Sequence, residues 1–347
     1  MPDVVVIGAG AMGSATAWWL ARWGREVVVL EQFAPGHRNG SSHGGSRIFR
    51  LAYDDPAYVR MAQAALPLWR ELEADAGRPL LDTTGAIDHG DAASLAAVAA
   101  ALRACDAAHE IVPRHEAMAR WPGFRFDGDV LFHPDGGRCR ADDTVAALQE
   151  RARHHGADLR FGVRAELSVE GDRVTVTTGE GAVTAPVAVV TAGAWVRDVL
   201  GDAAPAVTVT QEQVQHFRPR RELAAGELWP SFIHHRRPWI YGLVTPGEGV
   251  KVDEHHAGPV VDPALRPPRD PAAEQRVARY VQEWLPGLEP VPVNPAECLY
   301  TNTPDEAFVI ERRGPVVVGS PCSGHGFKFT PLIGRRLAEL ATLAAPG

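Results

Sequence analysis

Lysine is nearly absent from this chain. Among 347 residues only Lys251 and Lys328 carry an ammonium group, and 33 of the 35 basic residues are arginine. Such a drift is tolerated on a surface, where the two residues are close to interchangeable. Buried or catalytic positions are different, because ammonium is a point charge with a movable pKa and guanidinium is a planar fork. Each surviving lysine is therefore expected where arginine cannot do the work. Cysteine is scarce as well. Cys105, Cys139, Cys298 and Cys322 are too few and too scattered for a disulfide framework, which points to a reducing, cytoplasmic setting. No apolar run approaches the roughly 20 residues that cross a bilayer. Met1-Pro2-Asp3 leads straight into Val4-Val5-Val6-Ile7 with no basic segment, so no signal peptide and no membrane partner are expected. Positive charge is in deficit, 35 Lys+Arg against 43 Asp+Glu for a net −8, which argues against nucleic acid as a partner. There is no internal repeat and no low-complexity tail. The 45% hydrophobic content excludes a disordered or fibrous chain. The length exceeds the usual ceiling for one hydrophobic core, so two lobes are expected.

The first thirty residues hold the clearest pattern. Val4 to Ile7 is an apolar run suited to a parallel strand buried on both faces. Gly8-Ala9-Gly10-Ala11-Met12-Gly13 follows, then a helical segment from Ser14 to Trp23, a second strand from Glu26 to Leu30, and Glu31 at its end. Strand, glycine turn, helix, strand and acid stand in the order of a dinucleotide-binding βαβ unit. Gly8 permits the tight turn, Gly10 lets a pyrophosphate approach the backbone, and Gly13 lets the helix pack on the sheet. The helix N-terminus offers N–H groups to phosphates. Glu31 accepts hydrogen bonds from the ribose hydroxyls, which favours NAD or FAD over NADP. Further helices are expected over Pro56–Ala76, Ala92–Ala107, Asp142–His155, Ala272–Trp284 and Leu332–Leu343. Strands are expected over Asp158–Phe161, Arg173–Thr178, Val187–Thr191 and Pro315–Gly319. Helix Asp142–His155 followed by Asp158–Phe161 indicates a return of the chain to the nucleotide domain. Proline and glycine concentrate between Pro246 and Pro271, which reads as loops around short strands.

Just after the second strand, Asn39-Gly40-Ser41-Ser42-His43-Gly44-Gly45-Ser46-Arg47-Ile48-Phe49-Arg50 combines exposed backbone N–H groups with three basic side chains. This loop suits an anionic cofactor and a carboxylate. Together with Gly8–Gly13, with Thr191-Ala192-Gly193-Ala194-Trp195, with Cys298-Leu299-Tyr300-Thr301 and with Ser323-Gly324-His325-Gly326-Phe327-Lys328-Phe329, it closely resembles the monomeric sarcosine oxidase and N-methyltryptophan oxidase family. The resemblance runs in order from Val4 to about Leu343.

That resemblance implies FAD as cofactor. It places Gly8, Gly10, Ala11, Met12, Gly13, Glu31, Gln32, Ser41, Ser42, Ala165, Gly193, Trp195, Gly324, His325, Gly326, Phe327 and Lys328 along the cofactor. Cys298 matches the cysteine that bonds covalently to the flavin's benzenoid ring, with Cys322 the next candidate. His43 and Arg47 match residues against the flavin ring that help this attachment. Arg50 and Lys328 match the pair that holds a substrate carboxylate. A small amino acid offers little apolar area, so two cations on one carboxylate supply most of its orientation. Tyr241, His255 and Tyr300 match other pocket residues, and His256 competes with its neighbour for the histidine's place. Lys251 matches the lysine that faces the flavin through water and speeds its reaction with oxygen. No residue set is assigned to a metal.

The chain also departs from the family. It has one residue fewer between Tyr241 and Lys251, which leaves the strand pairing there open. Phe232 takes the place of a methionine and is expected at the substrate, and Cys322 takes the place of a phenylalanine. His234-His235-Arg236-Arg237 reads as an unusually basic loop, and the chain stops soon after its last helix. The expected fold is α/β with two lobes (α+β). A Rossmann-like FAD-binding domain is built from residues 1–80, 139–212 and 296–347. An interleaved substrate domain with an antiparallel sheet is built from 81–138 and 213–295. The expected reaction is oxidation of a secondary amine in a small amino acid, an N-methyl amino acid or cyclic imino acid, by a monomer using molecular oxygen and releasing hydrogen peroxide. Two alternatives remain: a tailoring oxidase or dehydrogenase of a larger amine, and a non-catalytic FAD-binding protein.

Overall fold

The computed structural model describes residues 1–220 and 229–343; residues 221–228, inside the expected 213–295 segment, and residues 344–347, at the end of the expected 296–347 segment, lie outside the described residues. A six-stranded sheet orders Val309–Arg313, Val316–Ser320, Val187–Val190, Val4–Ile7, Val27–Glu31 and Asp158–Phe161 side by side. All its pairings are parallel except the edge pair Val309–Arg313 with Val316–Ser320. Both faces of this sheet are buried, which is why its central strands are runs of valine. Val4, Val6, Val27 and Val29 pack into a core with helices Ala11–Arg22, Ala141–His154 and Thr330–Thr342. Val5, Ile7, Val28 and Leu30 pack against Val174 and Val176 of an antiparallel meander, Glu166–Glu170, Arg173–Thr178 and Gly181–Ala185.

The second lobe is an eight-stranded sheet. Its order is Leu288–Asn302, Thr208–Pro219, Gly249–Glu254, Ile240–Thr245, Ser231–His235, Ala86–Gly90, Val130–His133 and Glu110–Val112. One face is covered by helix Pro271–Trp284 and by a core containing Phe124, Phe126, Trp229 and Phe232. Asp270 starts that helix by accepting hydrogen bonds from Ala272 N at 2.9 Å and Ala273 N at 3.3 Å. Helix Pro56–Ala76 begins the same way, with Asp55 accepting from Ala57 N at 2.7 Å, and ends at Gly77 with φ 65°.

The expected helices and strands are present with shifts of a few residues at their ends, and Asp158–Phe161 does return to the six-stranded sheet beside Val27–Glu31. The expected domain divisions fall inside strands, one open pairing is answered, and one reading needs correction. The divisions at 212/213 and 295/296 cut through strands Thr208–Pro219 and Leu288–Asn302, which pair with each other and lead the chain between the lobes. The segment between Tyr241 and Lys251 is a regular hairpin pairing Tyr241 with Asp253, Leu243 with Lys251 and Thr245 with Gly249. His234 and His235 are not loop residues but buried members of strand Ser231–His235.

Candidate active site

A single cavity of about 790 Å³ runs from the end of the second strand of the βαβ unit to the face of the eight-stranded sheet. At its nucleotide end the turn is shaped as its glycines require. Gly8 has φ 98°, and a Cβ there would lie 2.6 Å from Thr191 O. A Cβ on Gly13 would come within 1.8 Å of Gly8 O, so Gly13 serves helix–strand packing and does not line the cavity. Glu31 accepts from Ala9 N at 2.8 Å and Phe33 N at 3.0 Å, which fixes its carboxylate at the cavity wall. Gln32, Ala165, Gly193 and Trp195 line the same end, with Met12, Gly10 and Ala11.

The loop after the second strand closes over the middle of the cavity. Arg47 holds it together by donating to Ser46 O at 2.8 Å, Ser41 O at 2.9 Å and His43 O at 2.6 Å. Ser42 Oγ accepts from Ala11 N at 3.0 Å, and Ser41 Oγ donates to Leu299 O. The buried His43 Nε2 has no hydrogen-bond partner within the protein. Burial, and then the Arg47 guanidinium, push His43 down to about 3, so its imidazole is neutral.

At the far end, strands present Ile233, Tyr241, Leu243, Lys251, Cys298 and Tyr300 to the cavity, and Gly324, His325, Gly326, Phe327 and Lys328 complete its rim. Lys251 Nζ donates to Ser46 O at 2.8 Å. Burial, followed by the Arg47 charge, lowers its ammonium to about 7. Cys298 is pushed up to about 11 by burial, while Arg47 and Lys251 pull the other way. Cys322 Sγ accepts from Thr301 N at 3.3 Å. His255 stands 3.3 Å from Tyr300 OH through Nδ1, and burial keeps it well below the ordinary imidazole value. His255 lines the cavity and His256 does not. A Cβ on Gly324 would lie 2.4 Å from the Tyr300 ring, so glycine there lets the tyrosine and His255 approach.

Arg50 and Lys328 converge on one phenol. The Arg50 guanidinium lies 4.3 Å from the Tyr53 ring centroid, and Lys328 Nζ donates to Tyr53 OH at 2.8 Å and to His325 O at 2.7 Å. Burial, and then the Arg50 charge, force Lys328 well below its ordinary value. Two cations sharing a dry space repel, and a carboxylate placed between them relieves both penalties.

Every expected site residue reaches this cavity except Gly13 and Phe232. Phe232 is 1% exposed and packs edge-on against Phe124 on the opposite face of the sheet. Alternation along the strand hands the cavity position to Ile233, which pairs with Tyr241. The sequence reading also missed Trp239 and Ser46, both lining the cavity, and Asp88, a buried carboxylate 3.9 Å from Arg50 Nη1 and 2.8 Å from His235 Nε2. An aspartate and a histidine inside the short strand Ala86–Gly90 were the available signal.

Residues 3–340 match the family described as DAO, FAD dependent oxidoreductase. The chain belongs to that family. It is 35% identical to a monomeric sarcosine oxidase of Streptomyces avermitilis, over 98% of this chain and 93% of the relative. It is 28% identical to an N-methyl-L-tryptophan oxidase of Salmonella agona, over 99% and 95%. Among solved structures, NikD, an unusual amino acid oxidase essential for nikkomycin biosynthesis, superposes with a TM-score of 0.88 at 30% identity, covering 98% of this chain and 94% of that one. This member of the DAO family is thus an FAD-dependent oxidoreductase of the kind that acts on CH–NH amines. The residues present fit FAD: the strained Gly8 turn, the pinned Glu31, the unpartnered His43 Nε2 and the length of the cavity all accommodate a dinucleotide. No helix among the described residues is long and apolar enough to cross a membrane.

Proposed function

We propose that the chain oxidises the secondary amine of a small amino acid, an N-methyl amino acid or a cyclic imino acid, with oxygen as final acceptor and hydrogen peroxide as product. The observation that carries this reading is the convergence of Arg50 and Lys328 around Tyr53 beside Tyr241, His255 and Tyr300 in one buried space. FAD, when bound, supplies the two-electron acceptor. The protein supplies position and charge. Arg50 and Lys328 bind the carboxylate and fix the α-carbon end of the substrate. His255, held neutral and hydrogen-bonding with Tyr300 OH, is able to take the amine's proton so that the nitrogen lone pair is free. Tyr241 and Tyr300, both pushed well above the ordinary phenol value by burial, stay protonated and offer aromatic faces to the amine. Water outside the site then hydrolyses the imine. Lys251 serves the oxygen reaction, and Cys298 is the proposed covalent anchor of the flavin, supported by its place on the cavity wall near the Arg47 and Lys251 charges.

The likeness to NikD at 30% identity favours a second reading, a tailoring oxidase of a larger amine. One experiment separates them: anaerobic titration of flavin absorbance with an amino acid and its matched amide, on wild type and Lys328→Ala. Loss of one member of a buried charged set typically removes about 3–5 kcal/mol, about two to four decades of affinity. The variant should lose the acid by that factor and the amide far less. Equal binding of acid and amide by wild type would remove the clamp and favour the larger amine.

A further inference from the structure

The histidines of strand Ser231–His235 alternate across the sheet. His235 shares the face of Asp88 and Arg50, while His234 faces away from the flavin cavity, into the core under helix Pro271–Trp284. Strands Ala86–Gly90 and Ser231–His235 pair in parallel with His89 and His234 in register, so the two imidazoles stand side by side, their centroids 4.0 Å apart. Asp127, on the loop after Phe126, brings a carboxylate to the same point. One ligand atom from each of His89, His234 and Asp127 lies within 4.8 Å of the others. The imidazoles are buried, 1% and 2% exposed, and Asp127 is open to solvent.

Ordinary packing leaves this cluster unsatisfied. Buried polar side chains are almost always hydrogen-bonded, yet neither nitrogen of His89 has a partner, nor does the indole N–H of the neighbouring Trp284. Whichever tautomer His89 adopts, a donor and a lone pair both stay unmet. His234 is oriented differently: its Nδ1 lies 3.1 Å from Tyr280 OH, which leaves Nε2 free. A ring nitrogen anchored by a neighbouring group while the other faces inward is the usual posture of a metal-ligating histidine. Burial, foremost, keeps His89 well below the ordinary imidazole value and His234 at about 4, so both present lone pairs at neutral pH.

We propose that His89, His234 and Asp127 form a binding site for a divalent transition-metal ion, with Tyr280 as the residue that orients His234. Two imidazoles and one carboxylate with a position left for water suit zinc. That water also offers the Trp284 N–H an acceptor. Arg236, whose guanidinium lies 5.5 Å from the Tyr280 ring centroid, opposes a second cation and sets the affinity below that of closed four-ligand sites. The ion fastens the Phe126–Asp127 segment to the only parallel pairing among the described strands of this sheet, directly behind Ile233 and Asp88.

The test uses tag-free, FAD-loaded protein stripped with a chelator, desalted, exposed to zinc chloride and desalted again. Wild type should retain about one zinc per chain by elemental analysis and should melt at a higher temperature with zinc than without. His89→Phe and His234→Phe should retain none, and Tyr280→Phe should weaken retention by about 10–100-fold. Cobalt in place of zinc should give tetrahedral d–d bands that are missing in His89→Phe. Should the histidine variants fail to fold, Asp127→Asn at an exposed position carries the test alone and should bind zinc measurably more weakly. Less than about a tenth of an equivalent on wild type, or equal retention by wild type and Asp127→Asn, overturns the site.

Discussion

Lys251 allows the sharpest test of the site. It is 5% exposed, hydrogen-bonds to Ser46 O at 2.8 Å and lies in the field of Arg47. Its ammonium falls from 10.5 to about 7. At about 1.4 kcal/mol per unit, the folded protein disfavours the charged form by an amount on the order of 5 kcal/mol. The sign follows directly. A lowered pKa means the ammonium is present below about pH 7 and is lost as pH rises through that value. Between about pH 7 and the unfolded value, the unfolded chain binds the proton that the folded chain gives up, so this group's contribution to stability rises with pH across that window.

If the ammonium is what speeds reoxidation, the oxygen rate constant should sit on a plateau at low pH. It should then fall by up to about tenfold per unit above a midpoint at or above about 7. Lys251→Met should lose about 10²–10³ in that rate constant, the usual worth of one group aimed at developing negative charge, and anaerobic reduction by substrate should change only a few-fold. Lys251→Arg, charged at every accessible pH, should lose the pH dependence. Stopped-flow mixing of photoreduced enzyme with oxygenated buffer from pH 6 to 10 reads all three. Reoxidation of Lys251→Met at the wild-type rate, or a flat wild-type profile, would refute the reasoning.

Cys298→Ala should release the flavin into the supernatant on acid precipitation, while wild type gives a yellow pellet with mass increased by one FAD; a yellow pellet from the variant would move the anchor to Cys322. Arg50→Lys should weaken binding of the substrate acid although the charge is kept, because a planar fork becomes a point charge, and an unchanged titration would place the carboxylate elsewhere. Phe232→Ala should destabilise the protein by about 3–5 kcal/mol in chemical denaturation, with little change in which amines bleach the flavin. Ile233→Ala should instead broaden the amine range, and the reverse pattern would mean that the sheet faces are assigned the wrong way round.

The βαβ unit was legible because most of its chemistry is local: the positive φ of Gly8, the Gly13 contact with Gly8 O and the Glu31 contact with Ala9 N lie within one supersecondary unit, and only the packing of Gly8 on Thr191 comes from elsewhere. The loop from Asn39 to Arg50 was legible by composition, although its closure by three backbone carbonyls on Arg47 was not. What sequence reasoning lost was register. The resemblance offers Phe232 by its match to a methionine, and one residue along a strand moves a side chain to the other face, so the cavity position falls to Ile233. The pairing of Ala86–Gly90 with Ser231–His235 joins segments far apart in the chain. No local pattern announces it, so Asp88 beside Arg50 and His89 beside His234 became visible only in the fold. The run His234–Arg237 looked like a solvated basic loop because charge was counted without the alternation that buries its first two members.

The scarcity of lysine acquires a physical account from the contrast with Arg47. Arg47 spends its fork on the carbonyls of Ser41, His43 and Ser46, so a permanent charge with many N–H donors is satisfied by a loop wrapped around it. Lys251 and Lys328 stand where no such ring of acceptors exists, at walls whose free space must be left for other molecules. A guanidinium there would stay charged and leave donors unmet. An ammonium makes one or two hydrogen bonds, and burial lowers the pKa of both lysines, so each holds its proton less tightly when no anion is beside it. At Lys328 this makes substrate binding and proton uptake one event: a carboxylate arriving between Arg50 and Lys328 should raise the lysine's pKa again. Binding of an inert carboxylate, followed in weakly buffered solution with a pH indicator across a range of pH, should therefore draw protons from the medium wherever the free lysine has lost its proton. Lys328→Met should bind without that uptake. If wild type and Lys328→Met take up the same number of protons, the ammonium is already present in the free site, and the argument from burial and the Arg50 charge fails.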